Sequence, residues 1–254
     1  MADWLSLTTE EFAADRIAVL PVAAIEQHGP HLPVGVDTYI AEAYLARVRR
    51  LLPANSPAVF LPVQALGASD EHRAFAGTLT LSPQTALAAF IEIGESVARA
   101  GIAKLVIVNS HGGNVALIDL AARQLRVRAS MLAVHCSWSR FGYPDGLFSA
   151  AEHTHGIHGG DIETSIMLAA YPHLVQHEKL ADFRSNTYAM ERDYTVLRAD
   201  HPVGFGWMTQ DLHASGALGD ATLATPEKGA AALDHGARAF VELLRDVERF
   251  ELPA

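Results

Sequence analysis

Three segments of the sequence concentrate carboxylate and imidazole side chains. The first spans residues 26–37, the second is an Asn-Ser-His-Gly-Gly-Asn run around His111, and the third spans residues 153–165. Residues two apart in an extended chain project to the same side, so Glu26 and His28 can each face a metal. First-row divalent metals favour such mixed imidazole and carboxylate ligands. The 13 histidines of the chain, many of them beside glycines and carboxylates, therefore point to metal chemistry.

A site for two metals needs a carboxylate that bridges ions about 3.5–4 Å apart. Asp37 suits this role because a proline-containing loop connects it to Glu26 and His28. Glycines beside the histidines, such as Gly112 and Gly113, let the backbone approach an ion or a substrate without a side chain in the way. Each fragment alone is also common in ordinary turns. Three such clusters in one chain favour a metal centre.

The elements that must position these side chains alternate between short β-rich runs and longer helical patterns, which is typical of a parallel sheet with crossover helices. The predicted strands cover residues 17–23, 58–65, 104–109 and 131–137, and the predicted helices cover residues 38–52, 83–100, 115–127 and 226–250, with one more starting near residue 160. The pairs Ser82-Pro83 and Thr225-Pro226 mark two helix starts, each with an N-cap followed by proline at the first helical position. The pattern predicts an α/β fold with helices on both faces of a mostly parallel central sheet.

This topology would bring the three clusters together, because loops that follow parallel strands gather at the carboxyl edge of the sheet, where such folds bind ligands. Residues 138–160 and 183–225 are rich in Gly, His, Asp and aromatics and are interpreted as long functional loops. No repeat or linker-like change of composition interrupts the chain, so residues 1–254 are predicted to form one domain.

Composition excludes several other classes of protein. Lys and Arg total 19 against 29 Asp and Glu, a formal charge of −10, so neither nucleic acid nor an anionic membrane is the expected partner. No apolar run approaches the roughly 18 residues of a membrane span, and the N-terminal residues do not resemble a secretory signal. A single cysteine, Cys136, excludes an internal disulfide framework. We therefore expect a cytoplasmic protein.

Several motifs together resemble one known family. They are residues 26–37, the His-Gly-Gly-Asn turn at 111–114, the run His158-Gly-Gly-Asp-Ile-Glu-Thr-Ser, and the stretches 67–72, 76–79, 215–221 and 225–229. In this order and at comparable spacing they resemble the creatininase (creatinine amidohydrolase) family, over nearly the whole chain. The expected fold is then the creatininase-like three-layer α/β/α arrangement.

The resemblance implies a hydrolase with two metal ions that cleaves amide-type C–N bonds, often as an oligomer of up to six subunits. It implies that one ion binds Glu26, Asp37 and His111, and that the other binds His28, Asp37 and Glu163. It also assigns proton transfer to His158. General chemistry agrees, because two ions lower the pKa of a shared water from 15.7 to near neutral. Expulsion of the amide nitrogen also needs a proton, which a histidine can supply.

Departures from the family pattern bear on the substrate. In creatininase proper, a glutamate that assists at the metal stands two residues after the equivalent of His111, whereas this chain has Gly113. A tryptophan and an aspartate that shape the creatinine pocket align with Thr154 and His155. Creatinine is therefore not the expected substrate. The wider family includes deformylases of formamidopyrimidine intermediates and a peptidase of a modified precursor peptide. The expected substrate contacts involve Ser69, Gly112, Gly113 and His155.

Other interpretations remain open at this point. The chain could be a family member without catalysis that serves as a binding or scaffold protein, or a binuclear metal phosphoesterase, although no basic, phosphate-cradling motif adjoins the ligands. The metals are expected to be Zn²⁺ or Mn²⁺, with Fe²⁺ or Ni²⁺ as alternatives, because mixed N/O ligands accept all four. Glu71 and His72 can contact substrate, or can serve in a cap or an ion pair. Asp161 is interpreted as a helix-start residue.

Overall fold

The structure, a computed structural model, describes residues 2–253, and a five-stranded parallel sheet forms its centre. The strands of this sheet are β1 (Ala2–Asp3), β2 (Ile17–Val22), β3 (Ala58–Phe60), β4 (Lys104–Asn109) and β5 (Leu132–Ser137), and two further strands, β6 (Asp182–Phe183) and β7 (Gly219–Asp220), form an antiparallel pair. The strand order of the sheet is β1-β3-β2-β4-β5. All four of its strand pairs are parallel.

Eight α-helices accompany the strands within residues 2–253. They are α1 (Val36–Leu51), α2 (Pro83–Arg99), α3 (Val115–Ala129), α4 (Ala150–His155), α5 (Asp161–Ala170), α6 (Thr187–Asp193), α7 (Thr209–Leu212) and α8 (Pro226–Arg249). Within residues 2–253, no helix has the length and hydropathy of a membrane-spanning segment.

Alternating side chains of the central strands feed two separate cores. Ala18 and Leu20 of β2 pack in a core with residues of α2 and α3. Ile17 and Val19 point to the opposite face and pack with residues of α1, α5 and α8. Successive residues of a strand point to opposite faces, so a strand buried on both sides is apolar throughout, as β2 is. The predicted three-layer α/β/α fold with a mostly parallel sheet is confirmed.

The two helix starts expected from Ser-Pro and Thr-Pro pairs are also confirmed. The hydroxyl of Ser82 accepts a hydrogen bond from the backbone N–H of Thr85, and the hydroxyl of Thr225 accepts one from Lys228. Each satisfies a backbone donor that the first turn of a helix leaves free.

Strand pairing after β2 departs from the prediction. The expected strand 58–65 is regular only over Ala58–Phe60, and one bridge between Gln64 and Val22 continues the pairing. Pro62 in between has no N–H to donate to the sheet. The two-residue strand β1 was not predicted, since so short a segment carries no periodic pattern.

The loop interpretation of residues 138–160 and 183–225 was wrong in part. These segments contain α4, α6, α7, β7 and the second residue of β6, Phe183. The pair joins Phe183 to Gly219, and a partner 36 positions away leaves no local signal in the sequence. The N-cap of α4, Ser149, is a local signal, because its hydroxyl accepts a hydrogen bond from the N–H of Glu152.

Candidate metal centre

The predicted metal ligands lie at the carboxyl edge of the sheet. The central strands β2, β4 and β5 run in register, with Val22 opposite Asn109 and Asn109 opposite Ser137, so they end together. Glu26 and His28 follow β2, and His111 follows β4. Asp37 lies in the first turn of α1 and Glu163 in the first turn of α5. Residues 137 positions apart in the chain therefore meet at one edge.

One group of ligand atoms consists of Glu26, Asp37 and His111. The Nδ1 atom of His111 lies 3.1 Å from Oε1 of Glu26 and 3.5 Å from Oδ2 of Asp37. All three residues are buried, and one atom from each lies within 4.8 Å of the others. Two carboxylates and an imidazole at this spacing can hold one divalent cation.

A second group consists of His28, Asp37 and Glu163. The Nε2 atom of His28 lies 3.7 Å from Oδ1 of Asp37 and 3.7 Å from Oε2 of Glu163. Asp37 thus faces this group with Oδ1 and the first group with Oδ2. A carboxylate that offers one oxygen to each of two sites is the arrangement needed for a bridge.

Hydrogen bonds to the backbone orient the imidazoles. His28 donates from Nδ1 to the carbonyl oxygen of Glu26 at 3.0 Å, and His111 donates from Nε2 to the carbonyl oxygen of Ala68 at 2.8 Å. In a neutral ring the other nitrogen then carries a lone pair, which faces the carboxylates. Metal-binding histidines are commonly oriented in this way.

Three buried polar atoms of these groups have no hydrogen-bond partner among the described residues. They are Oε2 of Glu26, Nε2 of His28 and Oδ2 of Asp37. Burying an unpartnered polar atom costs free energy, so such atoms need an explanation. Two are carboxylate oxygens and one is an imidazole nitrogen, and all three belong to the two groups. The donor set therefore fits divalent metal ions.

The charges of the centre shift its pKa values strongly. Burial alone would lower the pKa of His28, but Asp37 and Glu163 raise it to about 9. Burial alone would also lower the pKa of His111, but the charges of Glu26 and Asp37 raise this pKa to about 10. The pKa of Asp37 rises to about 6 through burial and the charge of Glu26. Without metal, the two imidazoles therefore hold protons that a cation would displace.

His158 lies at the side of the two groups. Its Nε2 donates to the carbonyl oxygen of Gln27 at 2.5 Å, and its Nδ1 lies 3.6 Å from Oε1 of Glu26. The ring lies between those of His28 and His72, with centroids 4.0 and 4.3 Å away. Burial, with the nearby charge of His28, lowers the pKa of His158 to about 4. The ring is therefore neutral near pH 7, with a lone pair on Nδ1.

A cleft of about 470 Å³ opens onto the centre. Gly112 and Gly113, two of the residues expected to contact substrate, line this cleft. Its wall includes the apolar side chains Val115, Ile157, Phe205 and Trp207, and also Arg140. An added Cβ atom at Gly113 would lie 2.2 Å from the carbonyl oxygen of Ala68 and 2.5 Å from Nε2 of His111, so a glycine here makes room for the hydrogen bond between these two groups.

Two predicted substrate-contact residues lie elsewhere. Ser69 is fully buried, with its hydroxyl 3.3 Å from Nε2 of His111, so it adjoins the outer edge of that ring. His155 packs against α6, where its ring nitrogens lie 2.9 Å from the Thr187 hydroxyl and 3.1 Å from a carboxylate oxygen of Glu191. Neither residue is part of the cleft wall. The prediction that they contact substrate therefore has no support in this geometry.

The sequence left the roles of Glu71 and His72 undecided, and the structure places both beside the centre. The Nε2 atom of His72 lies 3.4 Å from Oε1 of Glu26, and Oε1 of Glu71 lies 3.6 Å from Nε2 of His111. Their position after β3, at the same sheet edge, was the available signal. Gln27, which contacts His72, was missed because an amide in a loop carries no distinctive pattern.

Two polar residues near the centre hold its loops and helices in place, and one of them is Asp161, interpreted from the sequence as a helix-start residue. Asp161 forms a 2.6 Å ion pair with Lys228 and accepts a hydrogen bond from the hydroxyl of Ser165. Asn109 accepts a hydrogen bond from the backbone N–H of His111 and donates to its carbonyl oxygen. The asparagine therefore braces the turn that carries His111.

Comparison with known proteins identifies relatives over most of the chain. The family model described as Creatininase: Creatinine amidohydrolase matches residues 3–244. The mycofactocin precursor peptide peptidase of Mycobacterium ulcerans (strain Agy99) is 32% identical over 233 residues, covering 90% of this chain and 81% of that protein. The creatinine amidohydrolase of Pseudomonas putida is 28% identical over 263 residues, covering 96% and 94%.

Solved structures agree with this relationship. A crystal structure of creatinine amidohydrolase (creatininase) matches with a TM-score of 0.77 and 28% identity, covering 98% of both chains. A structure named Creatininase Mn matches with a TM-score of 0.74 and 27% identity, covering 96% and 97%. The family model, the sequence relatives and the fold all agree, so the chain belongs to the creatininase family of amidohydrolases, which hydrolyse carbon–nitrogen bonds.

Proposed function

We propose that this protein cleaves an amide-type C–N bond of a cyclic amide, a formamide or a small peptide-like substrate, using a water activated between two divalent metal ions. One observation carries the proposal. The two oxygens of Asp37 face two different ligand groups, and each group adds a carboxylate and an imidazole nitrogen that can bind a metal once its proton is released.

Five residues would hold the ions. Glu26, Asp37 and His111 would bind one, and His28, Asp37 and Glu163 the other. When bound, the ions would lower the pKa of the attacking water and polarise the carbonyl group of the substrate. We propose Zn²⁺ or Mn²⁺, with Fe²⁺ or Ni²⁺ as alternatives, because imidazole and carboxylate ligands suit all of them. Solved creatininases include a Mn form and a mutant of Zn-Zn type.

His158 is the proposed proton carrier. Its Nε2–H is held by the carbonyl oxygen of Gln27, so Nδ1 is the nitrogen that can exchange a proton at the centre. A neutral ring can accept the proton that the water loses. It can then return this proton to the leaving nitrogen, which is a very poor leaving group without it. The proton is conserved over the cycle.

Substrate would enter through the cleft, whose wall beside His111 includes Gly112 and Gly113, two residues without side chains. Relatives act on different molecules, since one group is named for a precursor peptide and another for creatinine. Their common feature is an amide-type bond. We therefore propose the bond type and leave the choice among the three substrate classes to assay.

Metal removal and replacement test the proposal. The purified protein is stripped with a chelator, reloaded with Zn²⁺ or Mn²⁺, and assayed on cyclic amides, formamides, short peptides and a phosphate monoester. We expect two ions per chain by elemental analysis, and amide hydrolysis only in the loaded protein. Full turnover without metal would refute the proposal. Hydrolysis of the phosphate ester alone would favour a phosphoesterase, and binding of metal without any turnover would favour a non-catalytic binding protein.

A matched control accompanies these measurements. Glu92 is an exposed carboxylate on α2, and Glu92→Gln should keep both the ions and the activity of the unmodified protein.

We further propose that this protein acts on a small-molecule substrate and is a homo-oligomer, a hexamer by family resemblance. The cytoplasmic location expected from the sequence stays a prediction.

A further inference from the structure

We propose that His72 is a positioning residue that presents a fixed N–H group to the carboxylate of Glu26, and that the side chain of Gln27 sets this orientation. The inference rests on the proposed function, since it concerns how the same centre is held. His72 is buried in the segment after β3, and its Nε2 lies 3.4 Å from Oε1 of Glu26.

Two backbone groups determine how the amide of Gln27 is oriented. The N–H of Gly29 donates to Oε1 of Gln27 at 2.9 Å, and Nε2 of Gln27 donates to the carbonyl oxygen of Gly216 at 2.9 Å. If the amide were flipped, donor would face donor and acceptor would face acceptor. The amide oxygen therefore points to Gly29 and the amide nitrogen to Gly216.

The amide nitrogen of Gln27 carries a second hydrogen. This nitrogen lies 2.7 Å from Nδ1 of His72. Because this nitrogen can only donate, Nδ1 of His72 must accept. The Thr209 hydroxyl, 3.0 Å from the same Nδ1, can donate its proton to this nitrogen or to the carbonyl oxygen of Glu71 at 2.9 Å. In a neutral imidazole with an accepting Nδ1, the proton is on Nε2.

This tautomer has a consequence for the centre. One atom from each of Glu26, Glu71 and His72 lies within 4.8 Å of the others, so these residues resemble a third metal site. A protonated Nε2 has no lone pair for a metal. The N–H dipole can instead interact with the carboxylate of Glu26 at 3.4 Å, whereas Glu71, at 3.9 Å, is beyond hydrogen-bond distance. Outer groups of this kind orient the ligands of a metal and affect its affinity.

Gly216 makes room for this arrangement. Its φ of +88° is a conformation that favours glycine, and an added Cβ atom would lie 2.0 Å from Oε1 of Gln27. A larger residue would displace the amide that sets the proton position on His72. The backbone at Gly216 thus fixes the amide of Gln27, and this amide in turn sets the tautomer of His72 beside Glu26.

Neutron diffraction of the metal-loaded protein tests the tautomer directly. We expect deuterium on Nε2 of His72 and none on Nδ1. Deuterium on Nδ1 alone, or a metal ion bonded to Nε2, would overturn the proposal. This measurement uses the unmodified protein, so it decides the tautomer even if the proposed hydrolysis is not found.

Substitutions test the function of the N–H group. In His72→Gln, the amide nitrogen can replace Nε2–H, whereas His72→Leu removes the donor. We expect His72→Gln to bind two ions with affinity within about threefold of the unmodified protein, and His72→Leu to lose about 10–100-fold, measured by chelator competition. His173 is an exposed histidine outside the cleft, and His173→Gln is the control. Gln27→Glu, which replaces the donating amide nitrogen by an oxygen, should weaken metal binding in the way His72→Leu does.

Two results would contradict a positioning role. Loss of one ion in His72→Gln would identify His72 as a ligand. If the His72 variants retained both ions but lost most of their turnover, and the pH profile of turnover changed, His72 would be a proton carrier. Absence of two ions in the unmodified protein would count against the proposed function instead, and the neutron result would remain valid.

Discussion

Asp37 is the residue on which the geometry of the centre depends. Its two carboxylate oxygens face His28 on one side and His111 on the other, at 3.7 and 3.5 Å. It is buried, and Oδ2 has no hydrogen-bond partner among residues 2–253. The surrounding imidazoles take their orientation from backbone carbonyl groups. Removing the carboxylate of Asp37 therefore takes a ligand atom from both groups, whereas removing His158 leaves all five proposed ligands in place.

Asp37→Ala should lose both ions, because each proposed site shares this carboxylate. Elemental analysis after dialysis is expected to find less than half an ion per chain, against two in the unmodified protein. Far-ultraviolet circular dichroism would show whether the fold persists. Retention of two tightly bound ions by a folded Asp37→Ala protein would show that Asp37 does not bridge.

His158→Ala should keep both ions and lose turnover. General acid–base groups typically contribute about 10²–10⁴-fold to rate, so kcat is expected to fall by that factor with metal content unchanged. His177→Ala, on an exposed histidine outside the centre, should behave like the unmodified protein. Normal turnover of His158→Ala would remove the proposed proton-transfer role.

Metal binding should release protons and strengthen as pH rises. The pKa values of His28 and His111 in the metal-free protein are raised to about 9 and about 10, so both rings are protonated at pH 7. A metal needs the neutral rings, and protons therefore compete with it until the pH exceeds these pKa values. Titration calorimetry at pH 7 in buffers of different ionisation enthalpy should detect release of up to two protons per chain. A pH-independent affinity from pH 7 to 9 would contradict this prediction.

At the scale of elements, the start of α5 carries both a proposed metal ligand and a buried side chain that caps the helix. This helix carries Glu163 in its first turn, and the carboxylate of Glu152 from α4 accepts a hydrogen bond from the N–H of Ile162. Added Cβ atoms at Gly156 and Gly160 would lie 2.1 and 2.6 Å from oxygens of Glu152, so both glycines make room for it. A buried carboxylate thus caps the helix that carries a proposed ligand.

Glu152 should make stability depend on pH. Burial, with the charges of Asp161 and Glu163, raises the pKa of Glu152 to about 8 from an ordinary 4.5. The folded state therefore binds this proton more tightly than the unfolded state. The resulting stabilisation is complete below about pH 4.5 and is lost as the pH rises through 8, a change of the order of a few kcal/mol.

Thermal unfolding of the unmodified protein and Glu152→Gln between pH 5 and 8.5 measures this effect. The melting temperature of the unmodified protein should fall relative to that of the variant as the pH rises. Parallel curves would show that Glu152 does not titrate in this way.

At the scale of the whole molecule, the surface combines a formal charge of −10 with exposed apolar side chains. Leu120 and Val127 are exposed on α3, at 48% and 73%. Tyr194, Val196, Val203 and Phe205 are also exposed, and Phe205 lines the cleft.

The proposed hexamer predicts a mass six times that of the 27.3 kDa chain. Light scattering coupled to size-exclusion chromatography measures it directly. Val127→Lys on α3 should lower the mass if this helix lies between subunits, and Arg123→Lys on the same helix is the conservative control. A mass of one chain at micromolar concentration would refute the oligomer.

Sequence reasoning alone was enough for four of the five strands of the sheet, for the capped helices and for the candidate metal-binding clusters. These depend on local patterns: apolar runs of strand length, Ser-Pro and Thr-Pro at helix starts, and clustered ligands in loops whose place at the sheet edge follows from parallel topology. The tertiary structure alone decided which groups face each other. It showed that the oxygens of Asp37 point in two directions, that His155 packs away from the cleft, and that Gln27 faces His72. Such contacts depend on rotamers and, for His111, Gln27 and His155, on partners more than 30 residues away, which a linear pattern does not encode.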